Sequence, residues 1–160
     1  MGAVEERTNR FLGYVGKAVP EGARKGGFGL GVDPGRVLFR RLNEHAKSIA
    51  AAKNLDVRDF YCRYLVTDDI WIPLAEAVLI DVFRPVWNKL VDGFGNHDPG
   101  KGRYNQQRSP WDTLHRGRTW ADRLPPGKSE KVLLKLLDDY FKGKPVPMIS
   151  TETAVEEPES

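Results

Sequence analysis

Between Pro34 and Lys53 the apolar residues Leu38, Leu42 and Ile49 recur on one helix face, and Arg41 and His45 fall inside that same stripe. At about 100° per residue these positions share a single side of a helix. A helix built this way carries a guanidinium and an imidazole toward a core, where each needs a partner or a ligand. Asp33 suits the N-cap, Pro34 the first helical position, and Asn54 the end. A second stripe makes a similar demand. Asp68 or Asp69 and Pro73 open a helix that runs to about Phe83, with Pro85 just beyond. Glu76 shares a face with Ile72, Leu79, Ile80 and Phe83, and a carboxylate there requires a cation, a proton or a hydrogen-bond donor.

A chain of 160 residues can bury a core without disulfides or structural metal, which favours one domain. Cys62 is the only cysteine, which excludes an internal disulfide and a multi-cysteine zinc site. No apolar run approaches the roughly 20 residues of a membrane span, and the N-terminus lacks a secretory hydrophobic region. A reducing cytoplasm fits these features. The formal net charge is +3, yet Glu152, Glu156, Glu157 and Glu159 all lie in the last ten residues. Residues 1–150 therefore hold 25 cationic against 18 anionic side chains, a net +7. That charge suits encounter with a polyanion, although many proteins that bind none are as basic.

Arg10–Val15 reads as a short strand, followed by a loop rich in glycine and lysine from Gly16 to Gly31. Asp59–Val66 alternates as a second strand, with Phe60, Cys62, Tyr64 and Val66 on one face. From Asp92 to Gly127 turn formers dominate, and Asn96, Asn105, Gln106 and Gln107 lie among Lys101, Arg103, Arg108, Arg116, Arg118 and Arg123. Phe94, Tyr104, Trp111 and Trp120 argue against disorder in so long a loop. Cations, amides and aromatics are what phosphate contact, base-edge hydrogen bonding and anchoring require. Ser129–Phe141 reads as a helix whose apolar face either packs on the core or forms a dimer seam. Residues 144–160 are expected to be a disordered acidic tail, which leaves 1–143 as the domain.

Singly, each polar residue has an ordinary explanation. A tyrosine beside a glycine is core or turn, Arg41 and His45 are a helix pair, and Glu76 is an ion-pair partner. Taken in order, Tyr14-Val15-Gly16, then Arg41 and His45, then Glu76, then Asn88 are residue types that suit cutting a phosphodiester with one divalent metal.

Tyr14-Val15-Gly16-Lys17-Ala18, Leu38-x-x-Arg41-x-x-x-His45, Glu76 and Asn88 resemble the GIY-YIG nuclease superfamily. Trp87-Asn88, the stretch Gly93-Phe94-Gly95-Asn96-His97-Asp98-Pro99-Gly100 and the stretch from Arg103 to Asp112 resemble its type II restriction endonucleases, specifically the group that recognises CCGCGG. The resemblance covers about residues 10–125. It implies an α+β fold: a small antiparallel sheet flanked by helices, a long DNA-reading loop and a C-terminal helix. It also implies a homodimer acting on double-stranded DNA in a prokaryotic cytoplasm, with a cognate DNA methyltransferase in the same system that is not a physical partner. By the same resemblance Glu76 holds a single Mg²⁺, Arg41 contacts the phosphate, and His45 accepts or relays a proton. Tyr14 positions or activates the attacking water, Asn88 orients the site, and Lys17 influences Tyr14. Lys101, Arg103, Asn105, Gln106, Gln107, Arg108, Arg116 and Arg118 are the expected DNA contacts, with arginine the natural reader of guanine.

The chain departs from the family pattern at its start. A first strand carrying Gly-Ile-Tyr should precede the second motif, yet Tyr14 is the first tyrosine and Met1–Asn9 is polar. The expectation is a chain lacking one catalytic tyrosine and one strand, with a sheet edge exposed. Two functions are then open: an active endonuclease, or a DNA-binding remnant that does not cut.

Overall fold

Helix α1, Val37–Ala51, buries Ile49 and half-buries Arg41 and His45, so the stripe read from sequence does carry both polar groups inward. The computed structural model describes residues 11–20, 36–100 and 105–149. Asp33 and Pro34, the expected start of α1, lie outside the described residues. A 3₁₀ turn, Asp69–Trp71, runs into α2, Ile72–Phe83, with Pro73 in its first turn where its missing N–H costs nothing. Arg84 ends α2 in the left-handed region at φ 48°, and Pro85 caps the single turn α3, Val86–Lys89. Then follow α4, Pro110–Leu114, and α5, Glu130–Phe141, each preceded by a serine, Ser109 and Ser129.

The small antiparallel sheet expected from the sequence is overturned. Among the described residues the elements are helices and 3₁₀ turns, with no strand. A ladder needs a neighbouring backbone bonded at successive positions, and among the described residues neither expected strand has one. In the first segment the Gly13 carbonyl accepts from Trp87 N at 2.9 Å, and Val15 is bonded by the Asn88 side chain. In the second, Val57–Asp59 turns as a 3₁₀ helix capped by Asp56. Beyond it Tyr61, Tyr64, Leu65 and Val66 are between 70% and 80% exposed, so the alternation has no covered face to register against.

The core gathers where α1, α3, α4 and α5 meet. Trp111 is fully buried, with Phe94 and Trp87 rings at 5.3 and 5.8 Å from it. Leu133 of α5 is fully buried and Leu136, Leu137 and Tyr140 lie against the same core, which takes up most of that helix's apolar face. Residues just past 144, where the tail was expected, still contact the core: Val146 and Met148 pack on it and Ile149 N donates to Lys89 O at 2.9 Å. Residues 150–160 lie outside the described residues.

A buried arginine holds the long segment after α3 together. Arg118 donates to both oxygens of Asp112 at 2.7 and 2.8 Å, and to the carbonyls of Gly93, Phe94 and Asn96 at 2.7, 3.2 and 2.9 Å. A guanidinium has five N–H donors, and these five contacts use them. Its Cζ lies 4.4 Å from the Trp111 ring centroid and 4.8 Å from that of Trp120. The backbone beside it passes against the end of α1, where Lys53 N donates to Arg116 O at 2.9 Å. A Cβ at Gly117 would sit 1.7 Å from the Ala51 carbonyl oxygen, so only glycine permits the approach.

Candidate active site

Asn88 sits in α3 with its amide against the Tyr14-Val15-Gly16 segment, Oδ1 accepting from Val15 N and Nδ2 donating to Val15 O, each at 2.8 Å. This fixes the backbone on one side of Tyr14. The Tyr14 ring then lies edge-on to His45 and Phe94, at 5.2 and 4.9 Å between centroids. The turn from Phe94 to Asn96 closes over it: a Cβ at Gly95 would fall 2.8 Å from the Tyr14 hydroxyl and 3.1 Å from a terminal nitrogen of Arg41.

Burial pushes the Tyr14 phenol above its ordinary range, against the charge and hydrogen bond of Arg41, while Glu76 adds to the rise. Tyr14 is therefore a protonated phenol near neutral pH. His45 stacks on Phe94 at 4.6 Å, and burial pulls its pKa down to about 4, with the charges of Arg41, His97 and Arg118 acting in the same direction. It stands neutral above that pH and can accept a proton.

Arg41 bridges the two halves of the site. Its guanidinium acts on the Tyr14 phenol, and its Nη1 lies 2.9 Å from His97 Nε2 and 3.6 Å from Glu44 Oε2. Among the described residues its buried Nε has no hydrogen-bond acceptor. A cleft of about 270 Å³ opens here, lined by Lys17, Arg40, Arg41, Glu44 and His97 among others. Lys17 Nζ meets Glu76 Oε2 at 2.8 Å, which answers the demand that a carboxylate in the α2 stripe makes on its surroundings. Among the described residues no three His, Cys, Asp or Glu side chains cluster as a closed metal cage. Glu44 in the cleft and Glu76 beside Lys17 are carboxylates of this neighbourhood, and a hard cation that keeps water and phosphate oxygens in its shell needs only one or two such ligands.

The six expected catalytic residues thus meet in one neighbourhood, whereas the expected DNA contacts are dispersed. Asn105, Gln106 and Gln107 are exposed, and Arg116 is half exposed with Nη1 3.2 Å from Asp122. Arg108 is largely buried and donates to the carbonyls of Ala121 and Asp122 at 2.9 and 3.0 Å. Arg118 is the buried hub described above. Lys101 and Arg103 lie outside the described residues. Glu44 and His97 were not singled out from the sequence. Glu44 is three positions from Arg41 on the same helix, and His97 stands inside the Gly93–Gly100 stretch, where an imidazole between Asn96 and Asp98 was the available signal.

A phenol, a guanidinium, a neutral imidazole and a carboxylate beside a basic cleft are the equipment of a phosphodiester-cleaving site. The class is that of nucleases. Residues 3–138 match the Eco29kI GIY-YIG domain, and the chain belongs to this family of restriction-endonuclease domains, which bind DNA. No curated protein matches the sequence. Among the described residues no helix is long and apolar enough to cross a membrane.

Proposed function

We propose that the chain is a site-specific type II endonuclease that hydrolyses both strands of duplex DNA, with Mg²⁺, at a GC-rich palindrome such as CCGCGG. The observation that carries this reading is the convergence of Tyr14, Arg41, His45 and the Lys17–Glu76 pair, with Arg41 and Lys17 on the wall of one cleft. The guanidinium of Arg41, on the wall of that cleft, is a cationic donor suited to a phosphate oxygen. His45, neutral at working pH, accepts a proton from the attacking water; the phosphate's negative charge raises its basicity from the value set by burial. The Tyr14 phenol orients that water through its hydroxyl. Glu76 would hold a Mg²⁺, which would supply positive charge at the leaving oxygen. Asn88 keeps the Tyr14 backbone in place. A palindrome calls for two-fold symmetry. The exposed apolar row Ile70, Trp71, Leu74, Val78 and Val82 supports a homodimer.

A second reading, a DNA-binding domain that does not cut, is favoured by one contact: the ammonium of Lys17 already occupies Glu76 Oε2. Incubation of the purified chain with plasmid carrying CCGCGG sites and Mg²⁺ separates the two, with Glu76→Ala as control. Cutting at those sites, lost in the control, supports the endonuclease. Retarded migration of the duplex without cutting supports the second reading.

A further inference from the structure

We propose that His97 is a positioning residue that sets the guanidinium of Arg41 and so ties the 93–98 turn to the site; the proposal rests on the nuclease reading above. Arginine can only donate. The 2.9 Å contact between Arg41 Nη1 and His97 Nε2 therefore requires Nε2 to accept, which makes the ring neutral with its proton on Nδ1.

The residues on either side of that ring are anchored. The Asn96 carbonyl is held by Arg118 at 2.9 Å, and the Asp98 carboxylate lies 3.1 Å from Arg123. The ring itself reaches the cleft with more than half its surface exposed, and Glu44 Oε2 stands 3.8 Å from it. The Arg41 guanidinium is thus set from three directions, by the Tyr14 hydroxyl, by Glu44 on its own helix and by His97 from the turn. Among the described residues, the charged groups that line the cleft with His97 are Arg41, Glu44 and Arg40 of α1 and Lys17 of the first segment. An imidazolium at 97 would turn the acceptor into a donor and set two cations together. The turn that carries His97 is also the one that Arg118 fastens to α4, in the same segment as the candidate base readers. Displacement of that segment on DNA would reach Arg41 through this one bond.

Two measurements on the full chain decide it. Long-range ¹H–¹⁵N spectra at pH 8, with His97 assigned through His97→Gln, should show the Nδ1-protonated tautomer in the wild type and its loss in Arg41→Met. A His97 tautomer that is the same in both chains overturns the proposal. In single-turnover cleavage, His97→Gln, which keeps an acceptor, should stay within about threefold of wild type. His97→Leu should lose roughly tenfold or more in rate at saturating DNA, with little change in DNA affinity. Wild-type rate in His97→Leu, or equal losses in both variants, also overturns it. A wild-type chain that cuts nothing sinks the nuclease reading, and the tautomer comparison then decides the Arg41–His97 relationship by itself.

Discussion

The side-chain amide of Asn88 bonds both backbone groups of Val15, 73 positions earlier, with two hydrogen bonds of 2.8 Å. One residue does here what a neighbouring strand would do, and it does so beside the candidate catalytic tyrosine. Asn88→Ala should cost about 1–3 kcal/mol, because it strands a partly buried N–H and C=O together. Asn88→Asp should recover little, since it sets a carboxylate against the Val15 carbonyl. Urea unfolding of the three chains checks this; an Asn88→Ala chain as stable as wild type would mean that the pair contributes nothing.

Arg116 and Arg118 are two positions apart and should behave oppositely. Arg118→Met leaves Asp112 buried without its cation and should destabilise by about 3–5 kcal/mol. Arg118→Lys should fare little better, because an ammonium cannot reach five acceptors arranged for a planar fork. Arg116→Ala removes a half-exposed side chain, should change stability by less than about 0.5 kcal/mol, and should lower the salt slope of DNA binding by about one if it meets a phosphate. Thermal melts and binding titrations at several salt concentrations read both. A cooperative, wild-type melt for Arg118→Met would contradict the hub.

Stability should fall as the medium is acidified from about pH 6.5 toward 4. Burial lowers the pKa of both His45 and His115 to about 4 in the folded chain. Unfolded, each takes up its proton near pH 6.5. Between those values the unfolded state binds protons that the folded state refuses, so the histidines oppose folding there and cease to do so above 6.5. His115→Gln should flatten part of the slope between pH 7.5 and 5 in urea unfolding. A slope identical to wild type would show that His115 titrates alike in both states.

Lys17 and a metal cation should compete for Glu76. Lys17→Met should tighten Mn²⁺ binding several-fold by calorimetry, since one positive charge beside the carboxylate is removed. Glu76→Gln should abolish that binding. Equal affinities in wild type and Glu76→Gln would place the metal elsewhere.

The helices were legible because their apolar spacing is local information. The stripe of Leu38, Leu42 and Ile49, the proline in the first turn of α2 and the run from Leu133 to Tyr140 each describe one element. Arg41, His45 and Glu76 stood out because a charge inside such a stripe is anomalous on its own terms. The sheet was misread because alternation at Asp59–Val66 records which residues could face a core, and only a neighbouring backbone makes that a strand. The arginines failed as a group for a related reason. Nothing local separates Arg116 from Arg118; the difference is Asp112 and three carbonyls brought in from 22 to 25 positions away. His97 went unweighed because its partner lies 56 positions off, on α1.

The five-contact arrangement around Arg118 bears on how this protein could acquire new preferences. With the carbonyls at 93, 94 and 96 and the carboxylate at 112 fastened to one guanidinium, neither stretch can drift by itself. Among the described residues that were expected to meet DNA, point changes would be tolerated best at the outward-facing side chains 105–107 and 116. Anything larger would have to arrive as a block, with both stretches and their arginine exchanged together.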